Sequence, residues 1–332
     1  MILITGGAGF IGSYLIYLLN LRGHEQIFII DDVGSSQKWL NLRGLKYKEI
    51  ISPKTFLQDD VRNRFKRAEA IFHLGACSTT TEMNFDYLYA NNTQYSIGLC
   101  EFATYNNMSF YYASSAATYG NGELGHSDDQ LMIQKLRPLN PYGYSKQLFD
   151  EWMLTQKHLP QSWNGFKFFN VFGPNEYHKN EMASVVYKSF NQIKDSGTVK
   201  LFQSHLPEIK HGEQARDFVY VDDVCRAMLN FYERKNAQHN GIFNLGSGKA
   251  RTFVDLVKAV YKSMNKEESI EFIPMPDSLK GQYQYFTEAK MDKFFTHFPG
   301  FQMRSLEEAV QIYVGQFLST GNPYTDTYTP RS

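Results

Sequence analysis

The sequence of 332 residues predicts an α/β protein with a doubly wound parallel sheet and a smaller α/β unit. Three observations lead to this fold class. The chain opens with a short apolar run, a glycine-rich turn and an apolar-rich helical pattern. Strand and helix patterns then alternate over the first 170 residues. A pair of acidic residues, Asp31 and Asp32, closes the second apolar run.

The N-terminal turn carries three glycines, Gly6, Gly9 and Gly12, at GxxGxxG spacing. Such glycines let the backbone approach a pyrophosphate, and the N-terminus of the following helix presents free N–H groups to it. Asp31 stands where an acidic residue usually binds the ribose of a dinucleotide. A turn that only packs a helix on a sheet is the alternative. The strand before it and the helix after it favour a Rossmann-type dinucleotide site.

The apolar periodicity assigns the remaining elements in order. Strands are predicted at 27–30, 70–73, 109–113, 165–171, 217–221 and 242–245, and helices at 85–107, 141–158, 182–196, 256–264 and 305–318. From this pattern we predict a dinucleotide-binding domain at 1–170 plus about 216–247, and a substrate domain at about 171–215 plus 248–320. The stretch 321–332 is predicted to be a surface tail.

The composition argues against several classes of protein. Lys+Arg and Asp+Glu both number 34, and a zero net charge does not favour a nucleic-acid surface. No apolar run approaches the roughly 18 residues of a membrane span, and no signal peptide precedes the first strand. Cys77, Cys100 and Cys225 form no CxxC pair, and the histidines form no HExxH pattern. We expect a cytoplasmic protein without a metal, nucleic-acid or membrane partner.

A motif at 141–146 indicates acid–base chemistry. Tyr142 and Lys146 are four residues apart and share a helix face, whereas Tyr144 points nearly the opposite way. An ammonium about 4 Å from the phenol, at an effective dielectric near 20, supplies roughly the 4 kcal/mol needed to bring a tyrosine pKa from about 10 to about 7. A surface i,i+4 pair is the alternative. Ser115 ends a predicted strand, where ligands bind in parallel sheets, although its hydroxyl could also make only local bonds.

The glycine turn, the serine-ended strand and the YxxxK motif together resemble the extended short-chain dehydrogenase/reductase family, whose members of this type bind nucleotide sugars. Segments 216–224 and 243–248 look like this family's second-half motif and later glycine turn. Further motifs are similar to one subfamily, which inverts carbon 6 of an ADP-linked heptose for the lipopolysaccharide inner core. They lie at 75–82, 114–120, 169–174, 182–185 and 276–284.

The resemblance implies a transient oxidation at carbon 6 by tightly held NADP, with NAD possible, and re-reduction on the opposite face. It implies that Tyr142 and Lys179 are the acid/base groups for the two faces, with Lys146 and Ser115 also catalytic. From the residues alone, Lys179 is a lysine in a polar loop, where solvation is the commoner state. The resemblance further implies a homo-oligomer, often a pentamer.

Two sets of binding residues follow from the same resemblance. The cofactor set comprises Gly6, Gly9, Phe10, Ile11, Gly12, Asp31, Asp32, Lys38, Leu74, Gly75, Ala76, Cys77, Ser78, Asn91, Lys146, Val171 and Lys179. The ADP-heptose set comprises Ser115, Asn170, Glu181, Lys188, Leu201, Phe202, Gln203, Ser204, Arg216 and Tyr283. Arg216 also fits on physical grounds, because a guanidinium suits a diphosphate. An ion pair with Asp217 or another acid is its structural alternative.

Three positions depart from the subfamily pattern. Asp32 stands where Asn is expected, and Glu181 and Lys188 stand where Ser and His are expected. Two carboxylates oppose a 2′-phosphate, whereas Lys38 favours it, so NADP requires Asp31 to turn toward the ribose 3′-OH or a backbone N–H. Two alternatives stay open. One is another nucleotide-sugar epimerase or dehydratase of this family, and the other is a non-catalytic dinucleotide sensor.

Overall fold

The computed structural model describes residues 1–281 and 283–325. Its centre is a seven-stranded sheet in the order β10-β6-β5-β4-β1-β2-β3, with every neighbouring pair parallel. The strands are β1 (Ile2–Thr5), β2 (Ile27–Ile30), β3 (Glu49–Ile51), β4 (Ala70–His73), β5 (Ser109–Ser115), β6 (Trp163–Phe168), β7 (Asn170–Phe172), β8 (Val199–Phe202), β9 (Ala215–Tyr220), β10 (Gly241–Leu245), β11 (Ala250–Thr252) and β12 (Ile270–Ile273). The predicted doubly wound sheet is confirmed.

The helices cover both faces of this sheet. They are α1 (Phe10–Leu21), α2 (Pro53–Phe56), α3 (Asp59–Asn63), α4 (Phe85–Leu88), α5 (Tyr95–Tyr105), α6 (Pro141–Thr155), α7 (Val185–Ser196), α8 (Val221–Arg234), α9 (Phe253–Met264), α10 (Asp277–Lys280), α11 (Asp292–His297) and α12 (Leu306–Gln316). In β1, Ile2 and Ile4 join one apolar cluster with α1 and α8, whereas Leu3 joins a second cluster with α5 and α6. A strand that is buried on both faces reads as a continuous apolar run, as the N-terminus does.

Two predicted elements differ in detail. The predicted strand at 165–171 is two strands, because the chain leaves the large sheet at Phe169 and β7 enters a three-stranded sheet, β11-β9-β7. The predicted helix at 85–107 contains a π-helical stretch, Tyr89–Gln94, between α4 and α5. No strand was predicted at β3, β8, β11 or β12, whose three or four residues are too few for a clear period.

The second half of the chain supplies the smaller sheets. β7 pairs with β9 in parallel, β11 pairs with β9 in antiparallel, and β12 pairs with β8 in parallel. The boundaries of the two domains stay a prediction. In the described part of the chain, no helix has the length and apolar character to cross a bilayer. The three cysteines are free.

Part of the predicted surface tail packs against the rest of the protein. Thr325 is only 2% exposed, and the Tyr177 hydroxyl donates a hydrogen bond to the Pro323 carbonyl at 2.5 Å. The Tyr324 ring lies edge-on to the Tyr177 ring, with centroids 5.2 Å apart. Low apolar content misled the prediction, because these residues attach through hydrogen bonds and an aromatic contact. The remainder of the tail, 326–332, lies outside the described residues.

Candidate active site

A cavity of about 560 Å³ opens at the carboxyl edge of the large sheet. Gly6 follows β1, Gly75 follows β4 and Ser115 ends β5, and all three residues line this cavity. Ligands of open parallel sheets bind at this edge, so the cavity is the candidate site.

The glycine turn forms the floor of the cavity. Gly6 has a φ of +67°, and a Cβ there would lie 2.6 Å from the Gly75 nitrogen. A Cβ on Gly12 would lie 2.2 Å from the Gly6 carbonyl oxygen, so both positions require glycine. Helix α1 begins at Phe10, and its N-cap, Gly9, provides no side-chain cap. Its first N–H groups are therefore free to donate hydrogen bonds to a phosphate.

Asp31 is tied to the glycine turn. Its Oδ2 accepts a hydrogen bond from the Ala8 N–H at 2.9 Å, and its Oδ1 lies 2.7 Å from Lys38 Nζ. Lys38 Nζ also donates to the Asp32 carbonyl at 2.9 Å. The carboxylate is thus turned toward a backbone N–H and paired with a cation, which is the arrangement that NADP binding requires.

Helix α6 brings the predicted tyrosine and lysine into the cavity. The Asn140 side chain caps the helix by accepting from the Gly143 N–H at 2.8 Å. Tyr142 and Lys146 are buried and line the cavity, whereas Tyr144 is 45% exposed. The helical geometry therefore selects Tyr142 as predicted, and the alternative of a surface pair does not hold. Lys146 Nζ donates to the Ala113 carbonyl at 2.9 Å.

The electrostatics of this end of the cavity differ from the expectation. Burial raises the pKa of Tyr142, and a hydrogen bond with Ser115 opposes that rise only in part. Burial lowers the pKa of Lys146 to about 8, against the opposing charge of Asp150. The pKa of Tyr142 is therefore not lowered in the free protein, because burial disfavours the charged phenolate.

Lys179 lies in the same cavity and is not a solvated surface lysine. It belongs to a short 3₁₀ stretch, Tyr177–Met182, and its Nζ lies 5.6 Å from the centroid of the Phe10 ring. Burial lowers the pKa of Lys179, and the negative charge of Glu176 opposes that shift. The structure thus brings Tyr142, Lys146, Ser115 and Lys179 to one cavity.

Most of the predicted cofactor set lines this cavity. The lining members are Gly6, Gly9, Phe10, Ile11, Gly12, Asp31, Lys38, Leu74, Gly75, Ala76, Ser78, Lys146, Val171 and Lys179. Asp32, Cys77 and Asn91 are not among the lining residues. Asn91 instead donates to the Asn92 side chain, whose oxygen accepts from the Cys77 N–H at 2.9 Å. Asn91 and Cys77 therefore both bond to the Asn92 side chain.

Arg216 is buried without a carboxylate partner in the described part of the chain. It is 6% exposed, and its guanidinium carbon lies 4.9 Å from the centroid of the Tyr283 ring. Burial lowers its pKa. Asp217, the alternative partner, instead accepts from the Ser247, Gly248 and Ala289 N–H groups. A buried, unpaired guanidinium beside an aromatic ring is suited to an anionic ligand.

Apart from Ser115, the predicted substrate residues, Arg216 and Tyr283 included, are not among the residues that line the cavity. Glu181 and Lys188 contact each other, with Lys188 Nζ 3.3 Å from the Glu181 carboxylate, and the Glu181 side chain is 98% exposed. Asn170 is exposed at the start of β7. Leu201 and Phe202 end β8, and Gln203 and Ser204 follow that strand. Their contacts with substrate stay predictions.

Several lining residues were missed by the sequence analysis. They are Thr79, Thr80, Ala113, Ser114, Phe168, Phe169, His178 and Met182. Burial lowers the pKa of His178 to about 4, and the positive charges of Lys38 and Lys179 contribute to this shift. Its Nδ1 is 3.2 Å from Asn41 Nδ2. Only its place beside Lys179 could have indicated it, because a lone histidine follows no motif.

Comparison with known proteins identifies the class. Residues 2–246 match the NAD dependent epimerase/dehydratase family. The chain belongs to this family, as its glycine turn, Tyr–Lys pair and cavity already indicate. Its cofactor is accordingly a nicotinamide dinucleotide.

The branch of the family is defined by its relatives. The chain is 46% identical to the ADP-L-glycero-D-manno-heptose-6-epimerase of Fusobacterium nucleatum, over 98% of this chain and all of the relative. It is 45% identical to the enzyme of that name from Nitratidesulfovibrio vulgaris, with the same coverage. The crystal structure of the Helicobacter pylori enzyme of that name matches with a TM-score of 0.79 and 28% identity, over 95% of both chains. The predicted subfamily is confirmed.

Proposed function

We propose that this protein interconverts ADP-D-glycero-D-manno-heptose and ADP-L-glycero-D-manno-heptose, by oxidation and re-reduction at carbon 6, in the synthesis of the lipopolysaccharide inner-core precursor. One observation carries the mechanism. Tyr142, which is buried, and Lys179, which is half-buried, lie on different elements and both line the cavity beside the glycine turn. The names of the relatives support the choice of substrate.

The residues present fit a nicotinamide dinucleotide. The glycine turn and the N-terminus of α1 would hold the pyrophosphate, and Asp31 and Lys38 would face the adenosine ribose. The bound nicotinamide supplies a reversible hydride acceptor. We infer NADP rather than NAD, because Asp31 is engaged by the Ala8 N–H and Lys38 and is not free to accept a ribose 2′-OH.

The chain's own groups handle the protons. We infer that the Ser115 hydroxyl orients the hydroxyl on carbon 6, and that Tyr142 takes the proton from this carbon-6 hydroxyl as the carbon is oxidised. The positive charge of Lys146 favours the phenolate. The resulting aldehyde lies outside the sugar ring, so rotation about the C5–C6 bond presents its other face. Lys179 then donates a proton to the same oxygen as the carbon is reduced, and the centre is inverted without net redox change.

The remaining interpretation concerns binding and assembly. We infer that Arg216 and Tyr283 hold the ADP diphosphate, since the buried guanidinium lacks a carboxylate partner among the described residues. By resemblance we further propose a homo-oligomer, a pentamer, in the cytoplasm.

Two measurements test the proposal. Purified protein is incubated with ADP-D-glycero-D-manno-heptose, and the epimers are resolved by NMR, with UDP-glucose as the control sugar. We expect the L-glycero epimer to form and UDP-glucose to stay unchanged. The protein is also denatured and the released nucleotide identified by mass spectrometry, where NADP is expected. Turnover of UDP-glucose alone would assign the protein to another nucleotide-sugar epimerase, and release of NAD would reject NADP.

A further inference from the structure

The C-terminal segment contacts the residues that immediately precede Lys179. We call residues 313–325 the C-terminal clamp and residues 173–184 the Lys179 loop. We propose that the C-terminal clamp positions Lys179 for proton transfer. This inference rests on the proposed acid/base role of Lys179, and it assigns a positioning role to a segment whose end, 321–325, was predicted to be a surface tail.

Three consecutive residues of the Lys179 loop bond to the clamp. The Asn175 side chain donates to Thr325 Oγ1 at 3.2 Å and accepts from the Thr325 N–H at 3.3 Å. Glu176 Oε1 accepts from the Tyr313 hydroxyl at 3.0 Å, and the Tyr177 hydroxyl donates to the Pro323 carbonyl at 2.5 Å. The clamp therefore fixes each of the positions from two to four residues before Lys179.

These contacts are buried. Asn175, Glu176 and Tyr313 are at most 1% exposed, and Thr325 is 2% exposed. A buried polar group that loses its partner is destabilised by about 1–3 kcal/mol, so the loop cannot leave the clamp without that penalty. Glu176 also accepts from the Ser184 N–H at 2.5 Å, which closes the loop on itself.

The regular structure of the loop is limited to its short 3₁₀ stretch, Tyr177–Met182. Asn175 and Asn180 have φ values of 76° and 47°, outside the helical region. Asn175 also donates to Ser13 Oγ at 3.0 Å, in the first turn of α1, so one side chain joins the clamp, the loop and the glycine turn.

The Lys179 ammonium itself lacks a hydrogen-bond or ion-pair partner in the described part of the chain, and it lies 5.6 Å from the centroid of the Phe10 ring. Its main-chain N–H donates to the Glu176 carbonyl at 3.0 Å. The position of the ammonium is thus set by the backbone of the loop, which the clamp holds. Because a displacement near 1 Å can lower turnover about 100-fold, a small shift of this backbone should be visible in kcat.

The test removes single hydroxyl groups from the full-length protein. Tyr177→Phe, Tyr313→Phe and Thr325→Val each delete one clamp bond. Tyr261→Phe is the matched control, because its buried hydroxyl bonds to the Gly197 carbonyl at 2.9 Å, away from the loop. We expect the triple clamp variant to lose about 100-fold in kcat, with KM within about twofold of wild type. The control should lose thermal stability but keep its kcat. A triple variant with kcat near wild type, or a control that loses as much, overturns the proposal.

A second background separates positioning from general destabilisation. When the clamp substitutions are combined with Lys179→Met, they should lower kcat no further, because the ammonium that the clamp positions is already absent. An equal loss on both backgrounds overturns the inference. Wild-type activity of Lys179→Met alone would reject the proposed role of that lysine. Hydrogen exchange of 173–184 distinguishes that failure from a failure of the clamp, since exchange must still rise in the clamp variants.

Discussion

The two ends of the cavity present their proton-transfer groups in different ways. Tyr142 and Lys146 lie one turn apart on α6, a capped helix of 15 residues that packs on the large sheet. Lys179 lies on a short 3₁₀ stretch between residues with positive φ, and distant parts of the chain hold it. The first arrangement depends on residues that are close in sequence, whereas the second depends on contacts between distant parts of the chain.

This difference shows which feature each group depends on. At the Tyr142 end, burial shifts both groups toward their neutral forms, so the bound cofactor and substrate must supply the remaining electrostatic support. At the Lys179 end, Glu176 favours the charged ammonium while burial opposes it.

The largest expected effect is at the helical end. Tyr142→Phe removes the phenolic oxygen while preserving the ring, so we expect kcat to fall by about 10²–10⁴-fold with the cofactor still bound. Tyr144→Phe is the control, because that ring is 45% exposed and points away from Lys146. Steady-state epimerisation and the nucleotide content of both variants are measured. Activity of Tyr142→Phe within about threefold of wild type would remove this tyrosine from the mechanism, given the usual size of the effect.

The loop end should respond almost as strongly. Lys179→Met keeps the aliphatic chain over Phe10 but cannot donate a proton, so a loss of about 10²-fold in kcat is expected. Lys194→Met, on the exposed side of α7, is the matched control. If both variants turn over substrate like wild type, a single acid/base group serves both faces. Lys179 then has no role in proton transfer.

The third effect concerns stability and pH. Because the pKa of Lys146 falls from 10.5 to about 8 on folding, the unfolded chain binds more protons between these values, and the contribution of Lys146 to stability rises with pH across this window. Lys146→Met should therefore raise the free energy of unfolding of the cofactor-free protein below pH 8, by roughly 3 kcal/mol, and the gain should shrink toward pH 10.5. Denaturant unfolding at pH 7 and pH 10 measures it. A gain that grows with pH would contradict the burial of a charged lysine.

The helical end was predictable from the sequence and the loop end was not. The four-residue spacing of Tyr142 and Lys146 defines a shared face as soon as the segment is helical. Gly6 and Gly12 were equally predictable from their GxxGxxG spacing. The structure gives the physical reason, because a Cβ at either position would lie less than 3 Å from backbone atoms. Lys179 carries no such local signal, and only family resemblance indicated it. Its environment depends on Phe10, Glu176 and the C-terminal clamp, which are far apart in sequence.

The errors have physical causes of the same kind. Thr325 and Pro323 were assigned to a surface tail because polar, proline-containing sequence lacks apolar periodicity, yet their bonds to Asn175 and Tyr177 hold them in place. The lowered pKa expected for Tyr142 neglected desolvation, which is a property of the folded cavity and not of the spacing.

A smaller effect is expected where the substrate diphosphate would bind. Arg216→Met removes the buried guanidinium, and we expect KM to rise by about 10–100-fold with a lesser change in kcat, because charge-assisted bonds are worth about 1.5–3 kcal/mol. Arg251→Met is the matched control, because Arg251 lies opposite Arg216 in the β9–β11 register but pairs with Glu307. Equal KM values for Arg216→Met and wild type would exclude Arg216 from the substrate site.

The smallest effect tests the cofactor choice. Lys38 Nζ lies 2.7 Å from Asp31 Oδ1, so Lys38→Ala leaves the Asp31 carboxylate without its cation. We expect NADP to bind about tenfold more weakly and NAD to change little, since a partly buried charged contact contributes on the order of 1 kcal/mol. Asp31→Asn is the reciprocal variant: its amide oxygen can still accept from the Ala8 N–H, and the loss of negative charge should favour NADP over NAD. Calorimetry on the cofactor-stripped wild type and both variants gives the affinities for NADP and NAD. Equal weakening of both cofactors by Lys38→Ala, or tighter binding of NAD to the unmutated protein, would reject NADP, because the pairing of Asp31 with Lys38 would then have no bearing on the 2′ position.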